Sequence, residues 1–306
     1  MLTVRAPATT ANLGPGFDCL GMALNLHNYI SMDFRSEGLK IEVEGEGEAF
    51  IPQEEKNIVY QAALQVFEEI GEKPKGLYVK LKNNIPVARG LGSSAAAIVG
   101  GLVAANLLTG NKLTKDHLLK MAVSVEGHPD NVAPALYGGI VLAVEGRELV
   151  YHRFSPPSDL KVVVAVPDFT LSTQKARSVL PSHVPFKDAV FNVSHMGLLI
   201  AAFSTGNLGL LPQGMQDQLH QKYRNELIPG MEKVFEAAKT AGALAVVLSG
   251  AGPTLIAFTR DNMDEIARAM SEQFLRQGVK CKAYEIKPQP TGTEIITNGG
   301  KMELCH

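Results

Sequence analysis

The segment Pro86-Val87-Ala88-Arg89-Gly90-Leu91-Gly92-Ser93-Ser94-Ala95-Ala96 constrains this chain more than any other stretch. Two glycines one residue apart let the main chain come close to a neighbour. Serines follow at once, and the apolar run behind them predicts a helix from Ser93 to Leu108, capped by serine. The amides of Ser93, Ser94 and Ala95 at the start of such a helix lack intrahelical partners. Together with the helix dipole they suit a polyphosphate. The hydroxyls of Ser93 and Ser94 can also reach a magnesium ion. On local physics three readings stay open. A phosphate loop fits, although no Lys follows Gly92, so this is not a P-loop. Gly90-x-Gly92-x-x-Ala95 has the spacing of a dinucleotide fingerprint, but Lys82-Asn83-Asn84-Ile85-Pro86 is not the apolar strand that fingerprint follows. A plain glycine turn with a serine cap satisfies the pattern too.

The rest of the chain narrows the setting. Its 306 residues are 45% hydrophobic and 20% charged, which excludes a wholly disordered chain and suggests about two domains. Lys and Arg number 29 against 31 Asp and Glu, Trp is absent, and aromatics make up 6%. Neither a basic surface nor a stacking platform for bases is indicated, so nucleic acid is not an expected partner. Cys19, Cys281 and Cys305 are odd in number and widely spaced, which predicts reduced thiols in a cytoplasmic protein rather than disulfides or a zinc site. No secretory pattern opens the sequence. Ala95 to Leu108 is too short to span a membrane, and Ser249-Gly250-Ala251-Gly252-Pro253 interrupts the apolar run from Ala241 to Phe258. No membrane association is expected.

Alternation and turn residues predict a strand at Leu2 to Pro7, a polar loop from Ala8 to Gly21, and strands at Asn28 to Arg35, Leu39 to Glu44 and Leu77 to Leu81. Helical spacing marks Asn57 to Ile70, Thr114 to Glu126 and Val132 to Tyr137, followed by a strand at Ile140 to Glu145. Pro156-Pro157-Ser158-Asp159 predicts a boundary between domains 1–157 and 158–306. Beyond it come strands at Lys161 to Val166, Ala243 to Ser249, Thr254 to Thr259 and Lys280 to Ile286. Helices are expected at Thr173 to Val179, Ala189 to Phe203, Tyr223 to Gly242 with a break near Pro229, and Asp264 to Gly278. The tail after Pro288 is polar and loosely patterned. Strands packed with helices make the class α+β.

With these features in place, the chain resembles the GHMP kinase superfamily. Pro86 to Ala95 matches that group's Pro-x-x-x-Gly-Leu-Gly-Ser-Ser-Ala motif. Ala6-Pro7-Ala8-Thr9-Thr10-Ala11-Asn12-Leu13-Gly14-Pro15-Gly16-Phe17-Asp18 and Leu248-Ser249-Gly250-Ala251-Gly252-Pro253-Thr254 match its other two motifs, in order. Within the superfamily, Asn12-Leu13-Gly14, Gly16-Phe17-Asp18, Glu126-Gly127-His128-Pro129-Asp130-Asn131 and Ser172-Thr173-Gln174-Lys175-Ala176-Arg177 resemble the branch that phosphorylates L-homoserine. Asp217, His220, Tyr223, Arg224 and Pro229-Gly230 continue the resemblance.

The resemblance implies an N-terminal domain like that of ribosomal proteins, a ferredoxin-like C-terminal domain and a substrate cleft between them. It implies ATP held by Pro86 to Ala96, and a magnesium ion on Ser94 and Glu126. It further implies transfer to the side-chain hydroxyl of L-homoserine, in threonine biosynthesis, and a homodimer. Homoserine carries a carboxylate, an ammonium and a hydroxyl, so its site needs a cation, an anion and a polar group. Arg177 and Arg224 are the carboxylate candidates, Asp18 the ammonium candidate, and Asn12 and Asn131 the hydroxyl candidates; His128 and Thr173 join them at the substrate site. Related members carry Asp where this chain has Asn131, and an amide cannot accept a proton. Direct transfer without a strong catalytic base is therefore expected, with Asn131, Glu126 and Ser94 as the catalytic set. Asp130 is adjacent, but chain neighbours usually point elsewhere. The third motif is expected to bring the second domain's backbone against the phosphate loop.

Overall fold

In the computed structural model, residues 1–297 and 300–303 are described; Cys305 lies outside them. The first ten elements are β1 (Leu2–Asn12), β2 (Gly16–Phe34), β3 (Gly38–Gly45), α1 (Ile58–Glu69), β4 (Gly76–Asn83), α2 (Ser93–Leu108), α3 (Lys115–Glu126), α4 (Pro129–Tyr137), β5 (Ile140–Glu145) and β6 (Leu149–Phe154). β1, β2 and β4 form the antiparallel centre of the first sheet, β3 lies parallel to β4, and the β5–β6 hairpin pairs with β2. α2 is apolar on every side because it is enclosed on every side. It packs on β1 and β2 beneath and on α1, α3 and α4 around it.

The second unit comprises β7 (Lys161–Pro167), α5 (Thr173–Ser178), α6 (Phe186–Thr205), α7 (Leu211–Gly214), α8 (Gln221–Arg224), α9 (Met231–Thr240), β8 (Ala245–Leu248), β9 (Leu255–Thr259), α10 (Met263–Arg276) and β10 (Cys281–Ile286). Its strands run β10-β7-β9-β8, all antiparallel, with α9 and α10 connecting them as the expected ferredoxin-like arrangement requires. The continuous Val run of β7 is explained by burial on both faces. Val162, Val164 and Val166 join the core shared with the first unit, while Val163 and Ala165 face α9 and α10. Among the described residues, no helix is long and apolar enough to cross a membrane.

Three expectations need correction. The loop from Ala8 to Gly21 is mostly strand: β1 continues to Asn12 and β2 starts at Gly16. Thr9 and Thr10 read as loop residues by polarity, yet both are fully buried because their hydroxyls are bonded to Asn131 and Ser249. The connection shrinks to a tight left-handed turn at Asn12, Leu13 and Gly14 (φ 70, 46 and 84°). Next, α2 has no serine cap; its N-cap is Gly92 at φ 68°, with no side-chain cap bond. The break expected near Pro229 is present: α8 and α9 are separate helices with Pro229 and Gly230 between them. Finally, the tail is ordered in part: β11 (Glu294–Thr297) pairs with β1 and β12 (Gly300–Glu303) with β11. A boundary at 157 does fall between β6 and β7, but 294–297 return to the first sheet, tied by a buried Arg5–Glu294 ion pair. Segment 158–306 is therefore not wholly in the second layer.

Candidate active site

The two units meet over a cavity of about 400 Å³, within the usual range for a small-molecule site. One end is built from main chain. After β4 the chain makes a nine-residue excursion, 84–92, before α2 begins. That length separates it from the tight strand-to-helix turn of a dinucleotide fold. Ala88, Gly90 and Gly92 are all left-handed, at φ 55, 77 and 68°. Side chains are excluded where two backbones touch. A Cβ on Gly90 would lie 2.4 Å from the carbonyl oxygen of Ser249, and one on Gly92 would lie 1.9 Å from Thr9 Oγ1. Ser249 Oγ donates to the Gly90 carbonyl (2.6 Å), the Thr254 amide to Arg89 (3.3 Å) and the Gly250 amide to Ala11 (3.1 Å). Arg89 reaches over to the Pro167 carbonyl and to Asp168. The third motif thus lies directly against the phosphate loop, as expected, and against the first motif as well.

Residues 87–90 and 92–94 line the cavity. Pro86 does not, and the side chains of Leu91, Ala95 and Ala96 are buried in the core. Whatever Ala95 offers a ligand is its amide. Because no side chain caps α2, the first-turn amides of Ser93, Ser94 and Ala95 have no described acceptor. The same cavity has an apolar wall that includes Ile30, Ile51, Leu81 and Val87, with Lys56 and Asn57 at the start of α1. Of these only Val87 is marked by sequence as a site residue; Asn57 announces itself only as the cap of α1, accepting from the Val59 amide at 2.9 Å.

The other end is built from side chains. Glu126 closes α3, where the helix dipole disfavours a carboxylate, and Gly127 at φ 86° turns the chain toward α4. Ser94 Oγ donates to Glu126 Oε2 at 3.1 Å. Burial pushes the Glu126 carboxyl above its usual range, although His128 and the Ser94 bond pull the other way. A hydroxyl and a desolvated carboxylate with no described cation partner are hard oxygen donors, which fits a divalent ion such as magnesium.

His128, Asp130 and Asn131 open α4. Asp130, far from pointing elsewhere, is buried at the centre of the cluster. It bonds His128 Nδ1 at 2.5 Å, and its Oδ1 accepts from Asn131 Nδ2 at 3.3 Å. Burial alone would lower the His128 pKa, but the Asp130 bond and the charges of Asp130, Glu126 and Asp18 outweigh it and raise it. Asn131 Oδ1 accepts from Thr9 Oγ1 (2.8 Å), so the amide is fixed in orientation from both ends.

Arg177, in α5, and Asp18, at the head of β2, form a two-pronged ion pair of 2.7 and 3.0 Å. Cation and anion, expected to await opposite ends of a substrate, hold one another. Arg224 is 2% exposed and lines the cavity. Its Nε donates to the Ala176 carbonyl (3.1 Å), and its Nη1 to Gly250 (3.1 Å) and to His220 Nδ1 (3.3 Å). Burial and then the Arg177 charge push its pKa down to about 10. His220 is buried; its Nε2 donates to Gly14, and Asp217 accepts from the amides of 219–221 to hold the turn. Asn12 lines the cavity, yet its Nδ2 donates to Gly250 and its Oδ1 accepts from the Asp18 amide. One N–H and one oxygen lone pair of its amide thus tie the turn to the second unit and to Asp18. Thr173 lines the cavity beside its neighbour Ser172, which caps α5.

The family model for the GHMP kinases N terminal domain matches residues 57–139, and that for the GHMP kinases C terminal matches 199–276. A homoserine kinase of Moorella thermoacetica is 50% identical over 297 residues, covering 97% of this chain and all of that protein. The chain belongs to the homoserine kinase branch of the GHMP kinases. Membership makes it an ATP-dependent kinase. A second homoserine kinase, from Carboxydothermus hydrogenoformans, is 49% identical over 97% of this chain and 98% of its own length. The crystal structure of homoserine kinase from Cytophaga hutchinsonii superimposes with a TM-score of 0.89 at 33% identity, over 96% of this chain and 97% of that one. The L. major mevalonate kinase has a TM-score of 0.74 at 18% identity over 94% of this chain and 96% of that one, and shares the fold.

Proposed function

We propose that this protein transfers the γ-phosphoryl group of ATP to the side-chain hydroxyl of L-homoserine, giving O-phospho-L-homoserine and ADP. The observation that carries the reading is the two-ended cavity, with uncapped α2 amides at one end and paired Asp18, Arg177 and Arg224 at the other. It is supported by relatives named homoserine kinase over nearly the whole chain.

The triphosphate lies against the amides of 93–95, and the apolar wall receives the nucleobase. Ser94 and Glu126 hold a magnesium ion, which when bound neutralises phosphate charge. The substrate carboxylate docks on Arg224 and Arg177, and the ammonium on Asp18. Asn131 then orients the hydroxyl, its amide already aligned by Thr9 and Asp130. Among the described residues the carboxylate beside Asn131 is Asp130, and its Oδ1 is already engaged by His128 and by the Asn131 amide rather than left free for the acceptor hydroxyl. A loose phosphoryl-transfer transition state asks chiefly for alignment and charge neutralisation, so the acceptor proton can leave late.

A coupled ADP-release assay across L-homoserine, mevalonate and galactose tests the reading. Magnesium-dependent turnover of homoserine alone is expected. Turnover of mevalonate but not homoserine overturns it.

A further inference from the structure

One aromatic ring bridges the two arginines at the acceptor end. The guanidinium carbons of Arg177 and Arg224 lie over the same Phe17 ring, 5.5 and 5.3 Å from its centroid. The His220 ring, which itself accepts from Arg224, sits 5.1 Å away. Phe17 is not part of the cavity wall, whereas Asp18, Arg177 and Arg224 are. What it does touch is the pair of arginines that line the cavity.

We infer that Phe17 is a positioning residue that holds Arg177 and Arg224 side by side for the carboxylate of the substrate. The inference rests on the homoserine reading given above. Two like charges brought to one spot repel, and the Arg177 charge does depress the Arg224 pKa. A carboxylate between them would remove the repulsion but would also neutralise the site. An aromatic face attracts both cations through its quadrupole and leaves their full charge for the incoming anion. The Asp18 bond to Arg177 cannot do this work alone. A substrate ammonium competes for Asp18, so Arg177 loses part of that anchor at the moment of binding. The contact with Phe17 is not contested by either end of a zwitterion. Sequence explains the placement: Phe17 and Asp18 are neighbours at the head of β2, next to the left-handed turn that aims both at α5 and α8.

Replacing Phe17 with mono-, di- and pentafluorinated phenylalanine weakens the ring quadrupole step by step with little change of shape. KM for L-homoserine should rise stepwise, by about tenfold at the end of the series, given the usual worth of a cation–ring contact. KM for ATP and the melting temperature should stay near wild type. Phe17→Leu should raise KM for homoserine to a similar degree, and Phe17→Tyr should stay near wild type. A flat series overturns the inference, as does a series in which both KM values climb together. If Phe17→Leu fails to fold, the fluorinated proteins still decide. A wild type that does not turn over homoserine at all defeats the functional reading instead, a result separate from a flat series on an active enzyme.

Discussion

The two ends of the cavity bind by opposite means. The phosphate end is made of backbone held close to backbone, with glycines where a Cβ would collide, and it presents amides, with Arg89 tied to Asp168 beside them. The acceptor end is a mesh of ionised side chains, Asp18 on Arg177 and His128 on Asp130, with Arg224 braced by three acceptors. A backbone cradle fixes geometry and is indifferent to pH. A charge mesh reads the ligand's own charges and is sensitive both to pH and to the loss of any one member. Substitutions at the two ends should therefore fail in different ways.

The largest effect is expected where the ends meet. Glu126→Ala should lower kcat by about 100-fold or more while leaving KM for homoserine within a few-fold, as for loss of a preorganised electrostatic group. Steady-state kinetics with magnesium titrated at each point checks this. Equal losses in both parameters would mean that Glu126 serves the acceptor end instead. Arg177→Leu should raise KM for homoserine by about 30-fold, the worth of a charge-assisted pair, and leave KM for ATP alone. Gly250→Val puts a branched residue at φ 55°, where the Cβ itself would have no neighbour nearer than 3.6 Å. Strain rather than collision is the cost, on the order of tenfold in KM for ATP, with a smaller change in melting temperature. Equal damage to folding and activity would make the turn purely structural.

Asn131→Asp should bring no gain in rate, because a carboxylate there would face Asp130 and lose the Asn131 donor bond. A single-turnover pH profile showing a base that titrates near neutrality would contradict direct transfer. The smallest effect concerns stability. His128 keeps its proton to higher pH in the folded chain than in the unfolded one, where it titrates near 6.5. The stability from its bond to Asp130 is thus complete below 6.5 and fades as pH climbs through the raised value. Thermal melts should show Asp130→Asn losing more, relative to wild type, at about pH 6 than at about pH 9.

This contrast also explains what was legible from sequence. Main-chain sites are written in glycine spacing, so Gly90, Gly92 and the turn at Ser249 and Gly250 could be read, and their mutual contact anticipated. Valines buried on both faces of β7 were equally plain. Charge meshes are not written in spacing. Residue types at the acceptor end were legible, but nothing along the chain says that Asp18 grips Arg177, that Asn12 bonds Gly250, or that Asp130 points inward. Polar threonines were misread as loop because their partners, Asn131 and Ser249, are 122 and 239 residues away. The tail strand was invisible for the same reason, since its pairing with β1 is a tertiary fact.

The central claim is that uncapped amides at the head of α2 grip the triphosphate. A crystal structure with a non-hydrolysable ATP analogue and magnesium tests it most directly. The account predicts the β- and γ-phosphates within hydrogen-bonding reach of the amides of Ser93, Ser94 and Ala95. Phosphates bound at the Arg177–Arg224 end, with the α2 amides left untouched, would contradict it.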